Sequence, residues 1–138
     1  MSAPAPVYTT DVAELTPADL EGFFVGWPSP PSPERHLEIL RGSDHVVLAR
    51  DGDEGGVVGF VTAISDGMLS AFIPLLEVLP DRQGHGIGSE LVRRMLVELD
   101  GFYMVDLVCD AELEPFYRRL GLTAMTGMGR RRRAVLAE

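Results

Sequence analysis

Near the middle of the chain, residues 83–88 read Gln-Gly-His-Gly-Ile-Gly, with glycine at every second position. This run lies between an apolar segment that ends at Leu79 and a periodic segment that opens at Ser89. Glycine has no Cβ, so it permits positive φ angles and a close approach of another group to the backbone. The first turn of a helix adds free N–H donors and a partial positive charge. Together these features predict a phosphate or pyrophosphate site, since a plain tight turn needs fewer glycines.

A single carboxylate, Glu77, interrupts the apolar run from Met68 to Leu79. An ionised carboxylate is costly to bury, so its pKa rises if it faces a poorly solvated cleft. A carboxylate with a raised pKa is suited to act as a general base. The alternative is that Glu77 faces solvent or pairs with an arginine.

The segment after the glycine run predicts an amphipathic helix. Its apolar residues recur at four-residue spacing and form one stripe, made of Ile87, Leu91, Met95 and Leu99. The glycine run therefore joins a strand to a helix.

Five strands are predicted around this junction, at Val7–Thr10, His45–Arg50, Val57–Ile64, Met68–Leu79 and Tyr103–Cys109. The turn at Asp51–Gly56 joins two of them as a hairpin. The strand that follows the helix is expected to run parallel to the strand before it. The apolar character of Met68–Leu79 predicts burial on both faces, and Pro74 predicts a bend there because it lacks an N–H donor.

Two helices are predicted in the first third of the chain. The Thr16-Pro17 pair is typical of a helix start, and the proline-rich segment 26–31 ends that helix. The Ser32-Pro33 pair starts a second helix, which Gly42 ends.

The composition bounds the remaining possibilities. A chain of 138 residues suits a single domain spanning 1–138. The formal net charge of −9 argues against binding nucleic acid through its phosphates. The three histidines, His36, His45 and His85, are scattered without the spacing of metal ligands, so we expect no metal site.

Three features predict a cytoplasmic protein that does not associate with membranes. Residues Met1–Thr10 lack the basic head and apolar run of a secretory signal. No stretch approaches the ~20 apolar residues of a membrane span. The one cysteine, Cys109, is expected to be buried in the last predicted strand and cannot form an internal disulfide, which favours a reducing compartment.

The glycine run resembles the acyl-CoA pyrophosphate loop of the GCN5-related N-acetyltransferases (GNAT), usually written Q/R-x-x-G-x-G/A. The segment ending Val78-Leu79-Pro80 resembles the fourth strand of that family, and residues 115–122 resemble its tyrosine-containing helix and the turn after it. The resemblance implies an α/β fold with a mixed, mostly antiparallel sheet of about six or seven strands flanked by about four helices.

The resemblance also implies a role for individual residues. The main chain of the loop would bind the pyrophosphate of acetyl-CoA, the co-substrate, through Gln83, Gly84, His85, Gly86, Ile87, Gly88 and Ser89. The main chain of Leu76 and Val78 would pair with the pantetheine arm where the fourth and fifth strands splay apart. Glu77 would be the general base, and the hydroxyl of Tyr117 would protonate the departing thiolate.

The first predicted helix and the loop after it correspond to one wall of the acceptor site in this family. Trp27 and Phe24 are the predicted contacts there, although plain core packing would also explain both residues. The family often has asparagine after the fifth strand. This chain has Asp110 at that position, so a coenzyme contact there is not implied.

The predicted function is therefore transfer of an acetyl group from acetyl-CoA to a primary amine of a small molecule or peptide, by direct attack in a ternary complex. One alternative is a catalytically inactive module of the same fold that binds coenzyme A as a sensor or interaction domain. Another is a dinucleotide-binding unit, which the serine at position 89 disfavours because that fingerprint requires glycine.

The segment after Leu122 leaves two arrangements open. It either completes the sheet of its own chain or pairs with a second copy in a homodimer. The run Arg130–Arg133 within it is expected to be a solvated strand edge or terminus, where charge discourages edge-to-edge pairing.

Overall fold

The computed structural model describes residues 5–137. In chain order the elements are β1 (Val7–Thr9), α1 (Pro33–Gly42), β2 (His45–Arg50), β3 (Val57–Ser65), β4 (Ser70–Val78), α2 (Ile87–Glu98), β5 (Met104–Asp106) and α3 (Glu114–Arg119). Short 3-10 turns lie at Pro17–Leu20, Pro80–Arg82, Ala111–Leu113 and Arg133–Ala137. None of the helices in the described part of the chain is long and apolar enough to cross a lipid bilayer. The segment Met1–Thr10 was predicted not to be a secretory signal, and its first four residues lie outside the described residues.

The strands form one sheet in the order β1-β2-β3-β4-β5. The first four strands pair antiparallel, and β5 pairs parallel to β4, as predicted. This confirms the mixed, mostly antiparallel α/β architecture. Residues 5–137 contain five strands and three α-helices. The family resemblance predicted about six or seven strands and about four helices. The difference arises partly because no strand forms between Leu122 and residue 137.

Two apolar cores lie on opposite faces of the sheet because side chains alternate along each strand. In β2, Val47 and Ala49 pack with the buried stripe of α2, whereas Val46 and Leu48 pack with α1 and the segment before it. The predicted stripe of α2 is fully buried, which confirms the helix, although it starts at Ile87 rather than at Ser89. The central strand β3 is buried on both faces.

The last part of the sheet is less regular than predicted. The pairing of β3 with β4 shifts between Thr62 and Ile64, opposite Ile73 and Pro74, so Pro74 does mark an irregularity. The prediction that both faces of this strand are buried was wrong, since Phe72 and Pro74 are exposed.

β5 is also shorter than predicted, because it pairs only with residues 70–72 of β4 and then diverges from it. Cys109 therefore lies beyond the end of the strand and is exposed, contrary to the predicted burial.

The first predicted helix is only one 3-10 turn, at Pro17–Leu20. Its start was predicted correctly, because the Asp19 carboxylate accepts a hydrogen bond from the Thr16 N–H at 2.9 Å and completes a capping box. The helix does not continue because the next residues adopt positive φ angles, +93° at Gly22 and +62° at Phe24. The segment therefore continues as a series of turns against the sheet.

His36 of α1 is enclosed by aromatic rings. Its ring centroid lies 5.4, 4.9 and 4.4 Å from those of Phe23, Phe24 and Phe60. The side chain is buried, and neither ring nitrogen has a hydrogen-bond partner among the described residues. Burial lowers the pKa of His36 from 6.5 to about 4.

Acidification is expected to destabilise the fold through His36. The unfolded chain takes up this proton near pH 6.5 and the folded chain only near pH 4, so stability falls as the pH is lowered between these values. The loss should approach about 3 kcal/mol, measured by urea unfolding across this range. His36→Phe should flatten the pH profile, whereas His45→Gln should leave it unchanged. If the free energy of unfolding fell with the same slope against pH in His36→Phe and in the wild type, the pH dependence could not be attributed to His36.

Candidate active site

The glycine run forms an open loop at the start of α2. Gly84 and Gly86 have φ angles of +81° and +83°, and no atom lies within 4 Å of where a Cβ would stand at either residue. The first helical hydrogen bond runs from the Glu90 N–H to the Gly86 carbonyl at 3.1 Å. Within residues 5–137, no carbonyl accepts a hydrogen bond from the main-chain N–H groups of residues 83–89. These donors can therefore bind an anion.

Two side chains of the loop lie against main-chain carbonyls that precede it. Gln83 Nε2 donates to the Val78 carbonyl at 3.1 Å, and His85 Nδ1 lies 3.2 Å from the Arg82 carbonyl. His85 is exposed at the surface. Arg82 pairs with Asp51 at 2.6 Å, so its charge is already partly neutralised by the protein.

The edge of β4 beside the loop is open. β5 pairs with β4 only as far as Phe72. The Leu79 N–H donates to the Val58 carbonyl at 2.9 Å, and alternate residues of a strand direct their main-chain groups to opposite sides. The main-chain groups of Leu76 and Val78 therefore face away from β3, toward the opening that β5 leaves. An extended ligand arm with amide groups could pair with them.

The short helix α3 closes the far side of this opening. A Cβ built on Gly88 would lie 3.7 Å from the side chains of both Phe116 and Val78, so Phe116 contacts the first turn of α2 beside β4. Tyr117 packs edge-on against Phe116, with ring centroids 4.9 Å apart. Burial, and secondarily an electrostatic effect of Cys109, raise the pKa of Tyr117 to about 12. The phenol therefore stays protonated in ordinary buffers.

Glu77 lines a cleft of about 200 Å³ next to the loop, together with Gly22, Phe23, Val25, Leu76, Val78, Pro80 and Gln83. Its Oε1 accepts a hydrogen bond from the Phe24 N–H at 2.9 Å, and Oε2 is buried with no partner among the described residues. Burial raises the pKa of Glu77, and the Phe24 hydrogen bond opposes that shift in part. One oxygen is thus held by the main chain, while the other is buried and has no partner among the described residues.

The residues predicted to contact an acceptor do not line this cleft. Phe24 is only 3% exposed and packs in the core below α1, and Trp27 packs against it with ring centroids 5.0 Å apart. Gly22, Phe23 and Val25 form the wall instead. The sequence signal for this wall is the pair of glycines at 22 and 26, which enclose a turn. Asp110 is exposed and precedes the short turn Ala111–Leu113.

The parts therefore meet at one place. Val78 lines the cleft that holds Glu77, belongs to the open strand edge and, like Phe116, lies beside Gly88 in the first turn of α2. No group of three or more His, Cys, Asp or Glu in the described residues could hold a metal ion. The antiparallel pairing of β1 to β4 also excludes the parallel, doubly wound sheet that the dinucleotide-binding alternative requires.

Comparison with known proteins gives concordant matches. The model of an acetyltransferase (GNAT) domain matches residues 42–122. A crystal structure from Deinococcus radiodurans R1, described as a candidate acetyltransferase, is 50% identical, with coverage of 99% of this chain and 95% of that chain and a TM-score of 0.93. A GNAT-family acetyltransferase from Streptococcus pneumoniae TIGR4 is 30% identical. The match covers 93% of this chain and 98% of that chain, with a TM-score of 0.74.

A relative from Porphyra purpurea is an uncharacterized N-acetyltransferase. It is 27% identical over 120 residues, which cover 83% of this chain and 69% of the relative.

Replacing Gly86 with alanine should destabilise the protein by about 1–2 kcal/mol, because an L side chain is strained at its φ of +83°. Gly101→Ala is the matched control, since a Cβ there also meets nothing within 4 Å but φ is not in the left-handed region. It should change stability by less than about 0.5 kcal/mol or increase it slightly. If urea unfolding gave equal free energies of unfolding for the two variants, the destabilisation by Gly86→Ala could not be attributed to strain at its positive φ angle.

Proposed function

The chain belongs to the GNAT acetyltransferase family, as its glycine run and tyrosine motif predicted, and we propose that it transfers an acetyl group from acetyl-CoA to a primary amine. The observation that carries this proposal is the junction at Val78. An open strand edge, a loop of unbonded main-chain donors and a partly buried carboxylate adjoin one another there. The acceptor is an amine of a small molecule or a peptide.

Coenzyme binding is assigned to the main chain. The N–H groups of residues 83–89 bind the pyrophosphate, with the positive end of α2 behind them. The outward main-chain groups of Leu76 and Val78 pair with the pantetheine amides. The openness around Gly84 and Gly86 supports this assignment, because a side chain at either position would stand between the ligand and the donors.

Acetyl transfer proceeds by direct attack, without an acyl-enzyme. The amine nitrogen attacks the thioester carbonyl, the C–N bond forms and the C–S bond breaks. Oε2 of Glu77 takes the proton that the nitrogen loses, and the hydroxyl of Tyr117 gives a proton to the departing sulfur. Solvent then returns the proton from Glu77 to Tyr117, which restores both groups.

The pKa values constrain how Tyr117 acts. A phenol with a pKa of about 12 is a weaker acid than a thiol with a pKa of about 8.5. Proton transfer from Tyr117 to a free thiolate is therefore unfavourable. It must accompany C–S cleavage, while negative charge is still developing on sulfur.

Removing the base should slow turnover without preventing coenzyme binding. Glu77→Gln keeps an oxygen for the Phe24 N–H but cannot take a proton, so kcat/KM should fall by about 10²- to 10⁴-fold. A thiol-release assay with a panel of polyamine, aminoglycoside and lysine-peptide acceptors measures this, with Glu54→Gln as the control on an exposed turn.

In the wild type, kcat/KM should rise with pH as Glu77 deprotonates. Because burial raises the pKa of Glu77, this rise should lie above the range of an exposed carboxylate. Glu77→Gln should abolish the rise, and unaltered turnover in this variant would refute the assignment.

Tyr117→Phe should lower kcat with little change in the KM for acetyl-CoA, because the hydroxyl acts when the sulfur departs. Tyr103→Phe is the matched control, since Tyr103 is 84% exposed and lies outside the site. Equal kcat values for the two variants would remove Tyr117 from the mechanism.

Calorimetry distinguishes the alternatives. We expect heat of binding with acetyl-CoA and none with NAD. Binding of acetyl-CoA without turnover of any amine in the panel would favour the inactive coenzyme-binding module.

A further inference from the structure

His36 of α1 lies between two residues that shape the cleft beside Glu77. Its ring centroid is 5.4 Å from that of Phe23, which lines the cleft, and 4.9 Å from that of Phe24, whose N–H donates to Glu77 Oε1. The ring planes cross at 82° and 69°, the edge-to-face arrangement that aromatic pairs favour. One side chain therefore contacts both the wall of the cleft and the residue that holds its carboxylate.

Phe60 completes these contacts from the side of the sheet. It is paired with Glu77 across β3 and β4, so the two side chains lie next to each other on the same face. The ring centroid of Phe60 lies 4.4 Å from that of His36 and 6.1 Å from that of Phe24. The rings of His36, Phe24 and Phe60 therefore contact one another in all three pairs, beside Glu77.

The ring contacts hold a backbone conformation that Phe24 does not adopt readily. Its φ is +62°, and a strained residue of this kind persists only where the surrounding structure determines it. The flanking Gly22 and Gly26 also have positive φ and carry no side chain, so the local chain adds little stiffness. The Phe24 N–H therefore reaches Glu77 because the Phe24 ring is fixed in the core.

The imidazole contributes to this packing through its ring and not through its nitrogens. His36 is buried, and neither ring nitrogen has a hydrogen-bond partner among the described residues. A phenyl ring could therefore make the same contacts without leaving a buried polar atom unpaired.

We propose that His36 is a positioning residue for acetyl transfer, because its ring keeps the Phe24 N–H on Glu77 and the Phe23 ring at the wall of the cleft. This inference rests on the proposed function, in which Glu77 is the general base. Without the ring, the turn at residues 22–26 relaxes, Glu77 Oε1 loses its donor and the cleft wall moves. The proposed coenzyme contacts belong to other segments and persist.

Steady-state kinetics of the full chain test this proposal. His36→Ala should lower kcat/KM for the amine by about 10-fold, with a lower kcat, a higher KM for the amine and an unchanged KM for acetyl-CoA. His36→Phe restores a ring and should recover most of the loss. Leu40→Ala, one turn further along α1, opens a cavity in the same core and should leave these constants unaltered. In a Glu77→Gln background, His36→Ala should lower kcat far less than in the wild type.

Amide NMR provides a second measurement that needs no turnover. In the wild type, the chemical shift of the Phe24 amide should follow the ionisation of Glu77, and the amide should be protected from hydrogen exchange. Both properties should be lost in His36→Ala and kept in His36→Phe and Leu40→Ala. If His36→Ala does not fold, His36→Val, which retains more of the volume, takes its place in both measurements.

Three results would overturn the proposal. They are a His36→Ala variant with the kinetics and the Phe24 amide of the wild type, an equal loss of kcat/KM in Leu40→Ala, and a His36→Phe variant as impaired as His36→Ala. If the wild type turns over no amine, the proposed function fails, and the Phe24 amide alone decides whether His36 holds this donor on Glu77.

Discussion

The candidate site depends on one constraint, which is that β4 loses its parallel neighbour halfway along its length. β5 ends its pairing at Phe72, and the register of β4 shifts at Ile73 and Pro74. Main-chain N–H and C=O groups need partners, so a strand edge opened inside a protein is stable only if water, a side chain or a ligand bonds to it. Gln83 already provides one such bond to the Val78 carbonyl. The opening therefore leaves both space and outward-facing main-chain groups, which is what the proposed coenzyme contacts require.

Glu77 shows how the fold balances two opposed effects at that opening. Burial disfavours the ionised carboxylate, whereas the Phe24 N–H stabilises it. The donor reaches Oε1 because Phe24 adopts a φ of +62°, a conformation that costs of order 1–3 kcal/mol in a non-glycine residue. Packing of the Phe24 ring against His36 and Phe60 offsets that cost, so the second core stabilises a backbone geometry that serves the cleft.

Local patterns predicted much of this architecture. The stripe of α2, the hairpin at Asp51–Gly56 and the irregularity at Pro74 each follow from a few neighbouring residues, and all three are present. The length of β5 and the exposure of Cys109 depend on where two distant strands separate, which no short window encodes.

The site follows the same division. The glycine loop and Glu77 stand out by residue type alone, and their roles stay predictions. The residues that line the cleft could not be predicted, because the φ of Phe24 turns that ring into the core and leaves Phe23 and Val25 at the cleft.

The bond between Phe24 and Glu77 has an evolutionary consequence because its donor belongs to the main chain. Every amino acid except proline carries that N–H, so the side chains of the neighbouring turn can diverge without loss of the carboxylate's anchor. Under the proposed function, selection can therefore remodel the cleft wall at Phe23 and Val25 for amines of different size and polarity while the orientation of Glu77 is inherited unchanged. In the proposed mechanism, acceptor preference and proton transfer can therefore evolve as separate traits.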